Sequence, residues 1–209
     1  MIKSNINNKK KIFLSISQHP GNKGANFFNY LFKTKKINAV YIPIKLKNIK
    51  NIKNIINELN IFGCSVSMPF KKKILKYVNR KDKIVKKTNC ANTILKRNNQ
   101  LLAFNCDYMG IKKVLDNLAI TKTDKILILG NGAMAINTIT YLLSKKFQNI
   151  NVCSRKHIQI QGVKLFSWKN RNNIDSNIMI NCTPIGMSHI NKLPIKIKKI
   201  DNFKYIIDY

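Results

Sequence analysis

Residues 126–135 read ILILGNGAMA. Four apolar residues run into Gly130, with Gly132 and Ala135 completing the spacing G-x-G-x-x-A, and residues 133–146 continue as AMAINTITYLLSKK with helical apolar spacing. A buried strand, a glycine turn and a helix, in that order, form the local context of a dinucleotide-binding turn. Gly130 permits the tight reversal, and Gly132 lets backbone N–H groups approach a pyrophosphate. Ala135 allows the helix to pack closely on the strand, and the helix N-terminus favours an anion. A tight strand–helix turn also needs glycine on steric grounds, so the pair alone is compatible with a turn that binds nothing.

Working outward from this turn, short apolar runs alternate with longer helical patterns. Downstream, NINVCSR (149–155), IMINCTP (178–184) and YIIDY (205–209) have strand character. Upstream, KIFLSIS (11–17), NAVYIPI (38–44) and CSVSM (64–68) do too, separated by helical patterns over 25–35 and 49–62. ANTIL (91–95) and LLAFN (101–105) form a hairpin-like pair around residues 97–100, and a helix is expected from Tyr108 to about Asn117 with Asp107 as its N-cap. Strand and helix in alternation give an α/β fold with parallel sheets and crossover helices. Two domains are expected, 1–118 and 119–209, with the join in the region 107–121.

The first of the downstream strands, the second strand of this unit, selects the nucleotide. NAD sites carry Asp or Glu about 20 residues beyond the glycine turn, where it takes the ribose hydroxyls. From Ala133 to Ile174 there is no acidic residue. The strand ends instead in Ser154, Arg155 and Lys156, where an adenosine 2′-phosphate would sit, and arginine can hold a phosphate through two parallel hydrogen bonds. NADP is the expected cofactor.

The formal charge of +31 does not by itself indicate a nucleic-acid binder. Lys, Ile and Asn supply 99 of the 209 residues, and their codons are rich in A and T. Arginine occurs only at 80, 97, 155 and 171, and lysine is spread along the whole chain rather than clustered. No specific nucleic-acid partner is expected. The longest apolar runs fall well short of the roughly 20 residues that cross a bilayer, and the N-terminus has no apolar signal core, so the expectation is a cytoplasmic protein without a membrane partner. Five scattered cysteines and three histidines show no metal-ligand spacing.

Six stretches in order carry a family resemblance. SVSMPFK (65–71) resembles the V-T-x-P-x-K motif of shikimate dehydrogenases, ANTI (91–94) their A-N-T segment, and FNCDYMG (104–110) their N-T-D-x-x-G. GNGAMA (130–135) is similar to G-A-G-G-A-x, CSRK (153–156) to N-R-T, and NCTPIGM (181–187) to N-A-T-P-x-G-M. The segment SISQHPGNKGANFFNYLF (15–32) departs from the usual S-x-S-P-x-x-H-N and resembles the shikimate dehydrogenase-like subgroup.

The resemblance implies an N-terminal α/β substrate domain followed by a Rossmann-type NADP-binding domain. It implies reversible reduction of 3-dehydroshikimate to shikimate, a step towards chorismate and the aromatic amino acids, by a monomer or homodimer. By motif, Lys71 corresponds to the catalytic lysine and Asp107 to its paired aspartate. Ser15 and Ser17 correspond to serines that bind the substrate carboxylate, Ser67 to a substrate-binding threonine, and Asn92 to an asparagine on the substrate hydroxyls. Gly130, Gly132, Ala133, Ala135, Ser154, Arg155, Lys156, Thr183 and Met187 fall at cofactor positions. Composition alone would make Lys71 one more solvent-facing charge beside Lys72 and Lys73. The chemistry agrees with the resemblance, because hydride delivery to a ketone creates an alkoxide that needs a proton donor and positive charge nearby. YIIDY resembles the family's D-x-x-Y strand, so the sequence is expected to stop before a last helix that offers a glutamine to the substrate. Two other readings stay open: a dehydrogenase of quinate or another cyclic polyol acid, and a degenerate, non-catalytic nucleotide-binding protein.

Overall fold

Asn60, Asn89, Asn98 and Asn99 all have positive φ, between 46° and 55°, and three of the chain's turns are set by them. Asparagine tolerates this left-handed region because its short side chain bonds locally. The computed structural model describes residues 10–156, 160–187, 190 and 192–209. Within them the chain divides into two compact units, one ending at Cys106 and one beginning at Asp107.

The first unit runs β1 (Lys11–Ser17), α1 (Lys23–Thr34), β2 (Ala39–Lys45), α2 (Ile52–Glu58), β3 (Ile61–Val66), β4 (Arg80–Lys81), α3 (Lys83–Thr88), β5 (Thr93–Arg97) and β6 (Gln100–Phe104). They form one sheet in the order β2-β1-β3-β5-β6-β4. The first three are parallel, β5 runs antiparallel to β3 and β6, and β4 lies parallel to β6. Leu14 and Ile16 of β1 point into the core at the strand period of two, and meet Ile52 and Ile56, one helical turn apart on α2. Each such fully buried aliphatic side chain stabilises by about 1.5–3 kcal/mol. The helix expected over 49–62 is shorter, because left-handed Asn60 ends it and returns Ile61 and Phe62 to β3. Asn98 and Asn99 make the two-residue turn between β5 and β6, the conformation such hairpins favour.

The second unit contains, from Asp107 on, α4 (Cys106–Asp116), then β7 (Ile126–Leu129), α5 (Ala133–Ser144), β8 (Ile150–Ser154), β9 (Lys164–Ser167), β10 (Ile178–Asn181) and β11 (Tyr205–Asp208). All pairs are parallel, in the order β11-β10-β7-β8-β9. Counted along the chain this is the 3-2-1-4-5 order of a Rossmann sheet. The residues of β7 and β10 are all buried, as central strands covered on both faces must be. The strand order reverses between β7 and β10, which opens a crevice at their C-terminal ends, beside Gly130 and Thr183. The sequence patterns did not reveal β9, a half-buried four-residue edge strand, nor α3, whose N-cap Asp82 accepts from the Val85 N–H at 2.6 Å. Asp107 was expected at the N-cap of the following helix. It lies inside the first turn of α4 instead, since Cys106 already has helical geometry.

Candidate active site

Lys71 sits between a fully buried residue and two exposed ones. Phe70 inserts into the core at 1% exposure, Lys71 is half-buried, and Lys72 and Lys73 face solvent. The strand expected through Met68 ends at Val66, and the chain then turns through a cis Met68–Pro69 bond. The turn is tied down at its far end, where the Lys71 carbonyl accepts from the Ala91 N–H at 2.8 Å. Nearby in the sheet, the Val66 N–H donates to the Asn92 carbonyl at 2.7 Å and the Ser67 N–H to the Ile16 carbonyl at 2.9 Å. β1, β3 and the approach to β5 thus hold Ser17, Ser67, Lys71 and Asn92 on one connected backbone frame.

Asn92 is a junction. Its Oδ1 accepts from the Cys106 N–H at 2.8 Å and from the Thr93 hydroxyl at 2.9 Å, while its own N–H donates to the Phe104 carbonyl at 3.1 Å. It therefore fixes the backbone immediately before Asp107. Asn105 supports the same corner from within the core, donating to the Thr88 hydroxyl at 2.9 Å. Ser15 lies half-buried opposite Pro43 and Ser65 in the sheet register. Ser17 is buried, and its hydroxyl has no hydrogen-bond partner among the described residues. An unpaired buried hydroxyl costs roughly 1–3 kcal/mol, which a bound polar group could offset.

In the second unit, Gly130 has φ +100°, and a Cβ there would lie 3.1 Å from the Cys182 carbonyl oxygen and 3.0 Å from the Thr183 methyl. Gly132 is the N-cap of α5, with no side-chain cap, and a Cβ built on it meets nothing within 4 Å. The start of α5 therefore carries no side-chain cap and has room beside Gly132, at the reversal of strand order. Ala135 is fully buried and Ala133 half-buried, so small residues carry the close helix packing. At the end of β8, Ser154 is buried while Arg155 and Lys156 are exposed. The Ser154 hydroxyl donates to the Lys156 carbonyl at 2.7 Å, so it shapes this turn. Thr183 is likewise engaged, donating to buried Asn181 at 2.7 Å and accepting from the Ile185 N–H at 3.2 Å. Met187 is exposed at the end of the same loop. An uncapped helix start, two exposed cations and no carboxylate between Ala133 and Ile174 suit a phosphorylated dinucleotide.

Helix α4, which begins beside Asp107, is anchored within its own unit. The Tyr141 hydroxyl and Lys112 both bond to Asp116, and this pairing, led by Lys112, holds the carboxyl down at about 2. Among the described residues no cluster of His, Cys, Asp or Glu could hold a metal ion, and no helix is long and apolar enough to cross a membrane.

The thiols divide sharply. Burial pushes Cys64 and Cys182 up to about 12 and Cys153 up to about 11, whereas Cys106 is exposed, its Sγ 3.4 Å from the Thr93 hydroxyl oxygen. A thiol at 12 is about one part in 10⁵ ionised at pH 7, and only the thiolate attacks. Native protein given iodoacetamide at neutral pH should therefore be alkylated first at Cys106, and at all five cysteines only after denaturation. Equal labelling of Cys64 in peptide mapping would contradict this packing.

Residues 22–94 match the family model of the shikimate dehydrogenase substrate-binding domain. The NADP(+) shikimate dehydrogenase of Clostridium beijerinckii is 32% identical over 192 residues, covering 86% of this chain and 70% of that protein. The chain belongs to the shikimate dehydrogenase family. A shikimate dehydrogenase-like protein of Haemophilus influenzae is 28% identical over 186 residues, covering 87% of this chain and 69% of its own. The crystal structure of shikimate dehydrogenase 1 from Peptoclostridium difficile superimposes with a TM-score of 0.84 at 25% identity, over 95% of this chain and 76% of that one. Shikimate dehydrogenase family membership gives meaning to residues the motifs did not single out. Thr93 donates to Asn92 and Asn105 to Thr88 in the first unit, while Asn131 donates to the Lys156 carbonyl and Asn181 to Asp208 in the second; three of the four are asparagines, a residue type too common in this chain to mark them.

Proposed function

We propose that this chain is an NADP-dependent dehydrogenase that reversibly reduces 3-dehydroshikimate to shikimate, in the pathway to the aromatic amino acids. The observation that carries it is the 32% identity with the clostridial NADP(+) enzyme across 70% of that protein's length. The substrate falls to the first unit and the dinucleotide to the second. Ser15 and Ser17 are the hydroxyls for the substrate carboxylate, and the unpaired buried hydroxyl of Ser17 supports that role. Ser67 and Asn92 contact the ring hydroxyls. Lys71 donates the proton to the carbonyl oxygen as it becomes an alkoxide, and recovers it in the reverse direction. Its ammonium also stabilises the negative charge that develops there. Asp107 accepts hydrogen bonds from substrate hydroxyls. When bound, NADPH supplies the hydride. Gly130, Gly132, Ala133, Ala135, Thr183 and Met187 would shape its site, with Ser154, Arg155 and Lys156 at the 2′-phosphate. The reading carries with it a cytoplasmic location and a monomer or homodimer, with only sequence-blind, salt-sensitive attraction to nucleic acid.

NADP+ reduction by the purified protein, with shikimate and separately with quinate, tests the proposal. Turnover should be seen with shikimate. Turnover with quinate alone would move the enzyme to the cyclic polyol acid reading, and none with either would support a non-catalytic protein. Arg155→Ala should weaken NADPH by about 1.5–3 kcal/mol, the range for charge-assisted bonds, and leave NADH nearly unchanged. Calorimetric titration of both cofactors reads this. Equal losses would show that Arg155 supports the fold instead.

A further inference from the structure

The two loops that leave neighbouring strands β7 and β8 are joined by one side chain. Asn131, between the two glycines of the turn, donates through Nδ2 to the Lys156 carbonyl at 2.7 Å. The Ser154 hydroxyl donates to the same oxygen, also at 2.7 Å. A carbonyl oxygen has two lone pairs, so both bonds can form together. The partner is an acceptor, which assigns the Asn131 amide orientation chemically. Asn131 itself has little freedom. The Gly130 N–H donates to the Cys153 carbonyl at 2.8 Å, and Gly132 is fixed as the cap of α5, its carbonyl accepting from the Ile136 N–H at 3.0 Å. Arg155 is bracketed, with Ser154 buried on one side and the doubly bonded Lys156 carbonyl on the other.

We propose that Asn131 is a positioning residue for cofactor choice: it clips the Arg155–Lys156 backbone to the glycine turn, so that the pyrophosphate and 2′-phosphate subsites are set as one piece. The inference rests on the NADP reading above and assigns how this chain enforces it. Ordering one backbone residue costs roughly 1–2 kcal/mol, and a loop held before the ligand arrives avoids that cost at binding. The benefit falls only on a ligand that touches Arg155 or Lys156. NADH, without the 2′-phosphate, gains nothing from the clip. The position is also one where alanine, which has no donor, cannot substitute.

The test compares wild type, Asn131→Ala, Arg155→Ala and the double variant by calorimetric titration with NADPH and with NADH. Asn131→Ala should weaken NADPH about 3- to 10-fold, what one net hydrogen bond supplies, and change NADH less than about twofold. Added to Arg155→Ala it should cost NADPH less than it does alone, because Arg155 is one of the two residues through which the clip acts. A second arm needs no cofactor. In the free protein, tryptic cleavage after Arg155 and Lys156, followed by mass spectrometry, should accelerate several-fold in Asn131→Ala while cleavage elsewhere stays the same. Equal weakening of both cofactors, no weakening of either, or full additivity with Arg155→Ala would overturn the proposal. Wild-type indifference between NADPH and NADH would count against the cofactor reading instead. The trypsin arm then decides the clip, and unchanged cleavage overturns it.

Discussion

Replacing Lys71 by alanine should lower kcat by roughly 10²–10⁴-fold, the loss expected when a proton donor is removed from the reacting group. The effect should fall on kcat more than on KM, because the charge that Lys71 is proposed to stabilise develops during hydride transfer and is absent from the bound ketone. Structure should survive. The turn is held by backbone contact from the Lys71 carbonyl to Ala91 and by the buried ring of Phe70, and neither depends on the lysine side chain. Lys72→Ala and Lys73→Ala are matched controls one and two residues on, both exposed, and surface changes usually stay within about 0.5 kcal/mol. Wild-type turnover in Lys71→Ala, or an equal fall in all three variants, would remove the catalytic assignment.

Gly130→Ala should be the most damaging small substitution in the second unit. Its φ of +100° is a conformation L-residues rarely adopt, and the added methyl would press on the Cys182 carbonyl oxygen at 3.1 Å, which is backbone and cannot swing away. Strain of this kind costs about 1–3 kcal/mol before the displaced loop is counted, so a total loss of about 2–4 kcal/mol is expected. The displaced residues begin the loop that carries Thr183, so NADPH and NADH affinity should both fall. Gly132→Ala makes the instructive contrast. It sits at φ −75° with open space where the methyl would go, so stability should fall only by the roughly 1 kcal/mol that alanine costs at an N-cap while dinucleotide affinity drops. Thermal melts and cofactor titrations of the two variants separate strain from occlusion. A Gly130→Ala protein as stable as its parent would contradict the geometry.

What could be read from the residues follows the strength of local signals. The run Ile126–Leu129 into Gly130 announced the central strand and turn because burial on both faces demands continuous apolar sequence. β9 gave no such signal: Lys164–Ser167 is a half-buried edge, and its pairing with β8 is a tertiary matter. The helix end at Asn60 is not visible in the pattern because Ile61 and Phe62 extend its apolar spacing, and only the left-handed conformation of the residue before them makes the break. Lys71 stands out only through its motif, not through composition, being one lysine among 35, and its proposed role awaits the kinetic test above. Asn131 was illegible for a different reason. Its partner is a backbone carbonyl 25 residues away, and nothing in the sequence marks an acceptor of that kind.

The strand order of the second unit also sets a timetable for its synthesis. Central strand β7 finds its first partner, β8, about 20 residues later, but its other partner, β10, only at Ile178–Asn181. The Lys125 N–H that enters β7 bonds to Asn177, 52 residues on, at 2.7 Å. While the ribosome translates the intervening stretch, one edge of a fully apolar strand has no partner, whereas the first unit is complete once Cys106 has emerged. Domains generally fold as units during synthesis, N-terminal first, and unpaired apolar strand edges are what chaperones and aggregation compete for. In a nascent chain this unit is therefore exposed from the emergence of Leu129 until that of Asn181, and a ribosome stalled in that interval presents its most aggregation-prone state.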